Sequence, residues 1–131
     1  MEAELDKLIR PGKLRIIPGF TFRRSKPAIV GIEVLSGRIK PHYMLMLENG
    51  KRIGNVLRIQ DKKKDLNEAI TGMQVSASID NAIIGRNVLE GNILYVDVPK
   101  LHQRILLSKF KDELSTDEII LLNEMKEKFA L

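Results

Sequence analysis

Phe20 to Pro41, FTFRRSKPAIVGIEVLSGRIKP, is the stretch on which the fold turns. A basic patch, Arg23-Arg24-Ser25-Lys26, leads through Pro27 into Ala28 to Leu35. There Ala28, Val30, Ile32 and Val34 share one face, and Ile29, Gly31, Glu33 and Leu35 the other. A period of two marks a strand with one side buried. Ser36-Gly37 predicts a turn, Arg38 to Lys40 leaves it, and Pro41 interrupts pairing. Because Lys26 precedes a proline, an extended backbone is expected there, with the basic side chains fanning out at the end of a sheet.

Working outward, Lys13 to Ile17 and Phe20 to Arg24 read as short extended runs parted by Pro18-Gly19. Beyond Pro41, Tyr43 to Leu47 resumes a strand, and Asn49-Gly50 supplies a hairpin turn into Lys51 to Gln60. Met73 to Ile79 and Ile93 to Val98 fit further strands, with a short one at Ala82 to Ile84. Many short strands with glycine-marked corners and no helices between them predict a closed antiparallel β-barrel.

The texture changes after Pro99, where Leu101, Ile105, Leu106, Phe110 and Leu114 recur at helical spacing. Ser115-Thr116-Asp117-Glu118 is a capping-box sequence that starts a second helix, so a two-helix hairpin follows the barrel. At the other end Leu5, Leu8 and Ile9 give Glu2 to Arg10 a helical pattern stopped by Pro11-Gly12. A helix that short is marginal alone and reads as the end of a longer connecting helix or as a cap. The fold class is therefore mainly β with α. The expected divisions are 1–11 for the connecting helix, 12–98 for the barrel and 99–131 for the helical hairpin.

A chain of 131 residues fits one domain. With no cysteine, nothing implies disulfides or a thiolate-ligated metal. No apolar run approaches the roughly 18 residues of a membrane span, and the charged N-terminus is unlike a secretory leader, so a cytoplasmic place and no membrane partner are expected. The net charge of +5 is unevenly divided: residues 1–64 carry fifteen Lys and Arg against six acids, a balance of +9, and residues 65–131 carry −4. Such asymmetry points to a nucleic-acid partner, with a merely solvated basic surface as the alternative.

No catalytic constellation emerges. Phosphate-binding glycine loops are absent, and His42 and His102 sit beside no triad. His42 reads as a turn residue and His102 as a surface residue of a helix's first turn. Two distant histidines without cysteine support no metal site. The basic patches carry more: Arg23, Arg24 and Lys26 in one, and Lys62, Lys63 and Lys64 in the loop Asp61 to Glu68. Lysines suit attraction to phosphates, and paired arginines can grip a phosphate or stack on a base. If both patches lay at one barrel end they would form a continuous footprint. Phe20, Phe22 and Tyr43 are expected to face the core rather than serve as stacking surfaces.

Several motifs in order then carry a resemblance. GIEVLSGRIKPHYMLML at Gly31 to Leu47 and VLEGNILYVDVP at Val88 to Pro99 look like strands of the second barrel of translational GTPases. More narrowly, PGFTFRRSKPAIVGIEVLSGRIKP, IQDK at Ile59 to Lys62, SIDNAIIGR at Ser78 to Arg86 and LYVDVP at Leu94 to Pro99 resemble domain IV of archaeal and eukaryotic translation initiation factor 5B, the counterpart of bacterial initiation factor 2. The resemblance covers the chain from about Pro11 to its end.

It implies a barrel, two terminal helices and the end of a helix tethering them to a GTPase core, with GTP and magnesium held in an upstream domain and no cofactor here. It also implies binding of the methionylated acceptor end of initiator transfer RNA, terminal helices that receive the C-terminal tail of initiation factor 1A, and joining of ribosomal subunits. A monomer is expected. By position the aminoacyl pocket would fall near Ile32, Gln60, Asp61, Lys62, Val75 and Ser76. The partner groove between the helices would involve Phe110, Leu114, Ile119, Leu122 and Met125. Burial of that face on the barrel is the alternative that the apolar run Ile119 to Leu122 itself favours.

His42, Lys63 and Asn81 stand where the family commonly has glycine. The absence of cysteine and the compact ending lean archaeal. The competing reading is a protein-interaction adaptor in which the barrel is only a scaffold and transfer-RNA binding is weak or absent. Steep salt dependence separates the two.

Overall fold

The computed structural model describes Leu5 and residues 7–129. The alternation that opens the sequence does form a strand, with Ala28, Val30, Ile32 and Val34 buried inside. The strand β2 (Ala28–Ile39) is longer than expected, because Ser36-Gly37 does not turn the chain. Lys13 pairs with Ser36 and Leu14 with Val34, so Leu35 is an extra residue, and Gly37 lies at φ +71°. The bulge falls at Leu35, and a Cβ at Gly37 would come within 2.1 Å of the Pro11 carbonyl oxygen, so the glycine serves a close strand approach instead of a turn. The two runs before β2 are likewise one strand, β1 (Gly12–Arg23), arched where Pro18-Gly19 leaves the ladder between Ile16 and Thr21.

The remaining strands are β3 (Met44–Leu47), β4 (Arg52–Asp61), β5 (Lys64–Asp65), β6 (Ala69–Ile70), β7 (Gln74–Ile79) and β8 (Ile93–Val96). Their order is β1-β8-β3-β4-β7-β2, and β2 pairs back on β1, which closes a six-stranded barrel. β5 adds to β4 and β6 to β2, and every pairing between named strands is antiparallel. Closure leaves no long edge exposed. Leu14, Ile16, Ile32, Leu45, Ile59, Ile79 and Leu94 fill the interior. Ala82 to Ile84, expected as a strand, gives only a single bridge between Ile84 and Val88.

Helix α1 (Lys100–Lys109) follows Pro99, a short 3-10 turn spans Lys111–Glu113, and α2 (Thr116–Lys128) begins at the expected capping box. The Ser115 hydroxyl accepts from the Glu118 amide, and the Glu118 carboxylate accepts from the Ser115 amide. Glu118 does more than cap. Fully buried, it accepts Nε and Nη2 of Arg10 at 2.8 and 2.7 Å, and Arg38 Nη2 reaches it at 3.5 Å. Burial alone would raise its pKa, but these guanidiniums and the Ser115 amide hold it below the usual value.

A second anchor is Asp117. It is bonded by the hydroxyls of Ser115 and Thr71 and, at 3.0 Å, by the Gly37 amide, and it is held at about 2, chiefly by those hydroxyls. At the far end of α2, Glu124 meets the Tyr95 hydroxyl at 2.5 Å and Lys13 at 3.1 Å, and the Tyr95 and Phe129 rings meet edge to face at 5.3 Å. Burial pushes the Tyr95 phenol up, and Glu124 adds to the shift.

Most of the helix expected over Glu2 to Arg10 lies outside the described residues. Leu5 is helical, but residues 7–10 are not. Pro11 disfavours helical backbone at Arg10, and two amides there are used elsewhere: that of Ile9 by His102 Nδ1 and that of Arg10 by the Tyr43 hydroxyl, each at 3.0 Å. His102 is thus a half-buried anchor rather than a free surface residue.

Candidate nucleic-acid interface

Parity on three neighbouring strands builds the site. Val30 and Ile32 of β2, Val75 and Ala77 of β7, and Ile59 of β4 all point inward, so the residues between them face out. Register sets Gly31 opposite Ser76 and Ser76 opposite Gln60, with the row Ile29, Ser78 and Arg58 beside it. The short side chains of Ser76 and Ser78 make this outer row a low one, a trough closed at its β2 edge, where Gly31 is buried beneath Phe20. Ser76 Oγ donates to the Gln60 carbonyl at 3.2 Å, and Asp65 accepts from Gln60 Nε2 at 3.1 Å and from Arg58 Nε at 2.9 Å.

This parity divides the residues expected to form the aminoacyl pocket. Gln60 and Ser76 face the trough, and Asp61 and Lys62 stand at its end. Ile32 and Val75 are buried in the barrel core and cannot line an outer pocket. One position earlier on β2, Gly31 takes the place expected for Ile32. A Cβ on Gly31 would lie 2.9 Å from the Cβ of Phe20, which arches over it.

Phe20 and Phe22, expected in the core, are instead 53% and 65% exposed. The reason is the arch in β1: with Pro18-Gly19 and again Phe22 out of register, the alternation that should bury them is broken. Only Tyr43 of the three aromatics is buried. The Pro-Gly pair two residues before Phe20 was the signal in the sequence.

The two basic patches do not share one end. Arg23 pairs with Ile29, level with Ser78, and the chain of Arg24 to Pro27 lies beyond it; Gln60 is level with Ser76, and Lys62 to Lys64 lie past it the other way. At roughly 3.3 Å per residue the patches bracket the trough from ends more than about 13 Å apart. Lys26 is not extended either: its φ is +61° and its bond to Pro27 is cis. Arg23 Nε donates to the Ser25 carbonyl at 3.0 Å, and Arg24 donates twice to the Ile84 carbonyl at 3.3 Å. Among the described residues none of the six cations forms an ion pair.

Beside Arg24 lies an open depression of about 400 Å³, bounded by Thr21, Ile84, Gly85 and Glu90. The Glu90 carboxylate accepts from Thr21 Oγ1 at 2.5 Å and from the Gly19 amide at 3.2 Å, which lowers its pKa and pins the arch.

The expected loop from Asp61 to Glu68 begins as a tight hairpin. Asp61 pairs with Lys64, and Lys62 and Lys63 turn at φ +52° and +69°. His42 at +76° and Asn81 at +58° complete a pattern: all three residues that the resemblance sets against glycine are left-handed here. The folded chain keeps the glycine geometry with non-glycine residues.

On the helices, Phe110, Leu114, Leu122 and Met125 are buried and Ile119 is half-buried, so these five do not form an open groove. They pack into the core that joins the hairpin to the barrel. What is open is a cleft of about 830 Å³ between α1, the end of α2 and the β3–β4 hairpin. Met46, Val98, Leu107, Met125 and Phe129 give it apolar walls, and Lys100, Arg104 and Lys126, none in an ion pair among the described residues, give it a basic rim. Among the described residues no group of three or more His, Cys, Asp or Glu could hold a metal, and no helix is long and apolar enough to cross a membrane.

Comparison with known proteins agrees with this architecture. Residues 10–95 match the family model for elongation factor Tu domain 4. The chain is 54% identical over 123 residues to a probable translation initiation factor IF-2 from Hyperthermus butylicus, and 55% identical over 122 residues to one from Ignicoccus hospitalis. These matches cover 93% and 92% of this chain and 20% of each relative. The crystal structure of GDP-bound aIF5B from Aeropyrum pernix superposes with a TM-score of 0.94 at 47% identity, covering 97% of this chain and 21% of that one. The chain thus spans about one fifth of the length of the proteins it matches.

Proposed function

We propose that this chain, which belongs to the elongation factor Tu domain 4 family and is a portion of a translation initiation factor, holds the methionylated acceptor end of initiator transfer RNA. The observation that carries the proposal is the outer row of Ser76 and Gln60, bracketed at both ends by cations that form no ion pair among the described residues. Arg23, Arg24 and Lys26 at one end and Lys62 to Lys64 at the other suit a phosphate backbone running along the face. An aminoacyl group laid between them would meet polar atoms of Gln60 and Ser76.

The chain does no covalent chemistry in this reading. GTP and magnesium belong to a part of the factor outside this chain, and the place of action is the cytoplasmic ribosome during subunit joining, with this chain acting as a monomer. Titration of labelled methionyl initiator transfer RNA at several salt concentrations tests the proposal. Tighter binding of the charged than the uncharged form is expected, with affinity falling steeply as salt rises. Equal affinity for the two forms removes the aminoacyl pocket, and a flat salt response removes the backbone grip.

A second surface supports a second partner. The cleft beside α1 pairs apolar walls with a cationic rim, which suits an acidic and hydrophobic tail such as that of initiation factor 1A. Such a peptide should shift amide resonances around Leu107 and Phe129. Shifts confined to the trough face would rule this docking out.

A further inference from the structure

Four phenylalanines divide into two kinds. Phe110 is buried and Phe129 packs on Tyr95, whereas Phe20 and Phe22 stand exposed and adjacent on one arch. Among the described residues neither of these two rings takes part in an aromatic or cation–π contact. The arch is not slack: Glu90 ties down Gly19 and Thr21, and Phe20 sits directly over Gly31. Its chain continues into Arg23 and Arg24, which form no ion pair among the described residues, and the nearby Glu90 carboxylate is occupied by the arch itself. Exposed aromatic faces beside unneutralised arginines complement single-stranded nucleic acid, because every base has a π-face and every linkage a negative charge. A protein partner would gain from the apolar area but would have no general use for the cations.

We propose that Phe20 and Phe22 form a stacking platform for the unpaired bases at the 3′ end of an RNA, with Arg23 and Arg24 holding the phosphates that join those bases. The two rings are carried two residues apart on one strand, so each can take its own base. This rests on the RNA-binding reading above and adds to it a sequence-tolerant, non-ionic part of the affinity.

The test compares the full chain and its variants by fluorescence anisotropy on two labelled RNA hairpins, one blunt and one ending in four unpaired nucleotides. The wild-type chain should prefer the overhang. Phe22→Ala and Phe20→Ala should each weaken binding to the overhang about tenfold, leaving the blunt hairpin and the salt slope unchanged. Phe22→Leu should lose most of the same affinity although it keeps much of the apolar area. Arg23→Gln with Arg24→Gln should weaken both RNAs and lower the salt slope by about 1 for each phosphate no longer neutralised. If Phe20→Ala also lowers the melting temperature, through its packing on Gly31, the Phe22 variants decide.

Phenylalanine variants that bind the overhang like wild type overturn the platform and assign the exposed rings to a protein contact. If the wild-type chain binds neither hairpin and no transfer RNA, both the platform and the RNA-binding reading fall. If methionyl transfer RNA binds with steep salt dependence while the phenylalanine variants bind it equally well, the platform alone falls.

Discussion

The seam between barrel and helices and the outer face of β2, β7 and β4 use similar residues for opposite ends. At the seam Arg10 and Arg38 meet Glu118, Lys13 meets Glu124, and the hydrophobic side chains around them are covered. On the outer face and its rims, Arg23, Arg24, Lys26 and the three lysines of the β4–β5 hairpin form no ion pair among the described residues, and two phenylalanines lie open. Charge matched and buried at the seam fixes how the hairpin sits, while charge left unmatched at the surface remains available to a ligand. The lesson is that net charge alone does not locate a binding face; the acid partners do.

The largest test of that contrast is at Glu118. Glu118→Leu should cost about 3–5 kcal/mol in urea unfolding, because Arg10 would be left buried without its carboxylate. Recovery of much of the loss by Arg10→Met in the same chain would show that the unpaired charge, and not the cavity, is responsible. Asp117→Asn should cost about 1 kcal/mol by weakening the bonds to Gly37 and the two hydroxyls. With a folded pKa near 2 against the ordinary 3.8, Asp117 contributes stability that is complete above about pH 4 and lost as pH falls toward 2. The Asn variant should therefore lose part of the acid limb of the stability profile, and an unchanged limb would assign that limb to other carboxylates.

At Lys63, whose φ is +69°, Lys63→Gly should raise stability by up to about 1 kcal/mol, less the entropy a glycine adds to the unfolded chain. A clear loss would mean that the lysine makes an interaction worth more than its strain. Smallest of all, Lys62, Lys63 and Lys64 changed together to Gln should leave the melting temperature within a degree or two while lowering the salt slope of RNA binding by about 1 for each phosphate left without its cation. A large drop in melting temperature would move these lysines to the structural side of the contrast.

Much of the fold was legible because barrel strands and capped helices announce themselves locally. Ala28 to Val34 alternates, Asn49-Gly50 turns, and Ser115 to Glu118 caps as its sequence predicts. The site was legible in part. Gln60 and Ser76 do share the outer face, whereas Ile32 and Val75 belong to the core by a one-residue parity that a positional match cannot resolve. Phe20 and Phe22 escape the alternation rule because their arch suspends it, and the helix residues from Phe110 to Met125 show that an apolar stripe does not say what covers it.

The sequence by itself determined the barrel, the two helices, the division of charge and the family. The barrel and helices rest on periodicity, capping and turn chemistry, which act over a few neighbouring residues, whereas the family rests on the resemblance of several motifs in order. Only the tertiary structure decided that the basic patches bracket the trough instead of adjoining, that Glu118 is an internal counter-ion as well as a cap, and that two phenylalanines face solvent. Those outcomes depend on strand register and on which distant acid meets which base, and both are fixed only when the barrel closes.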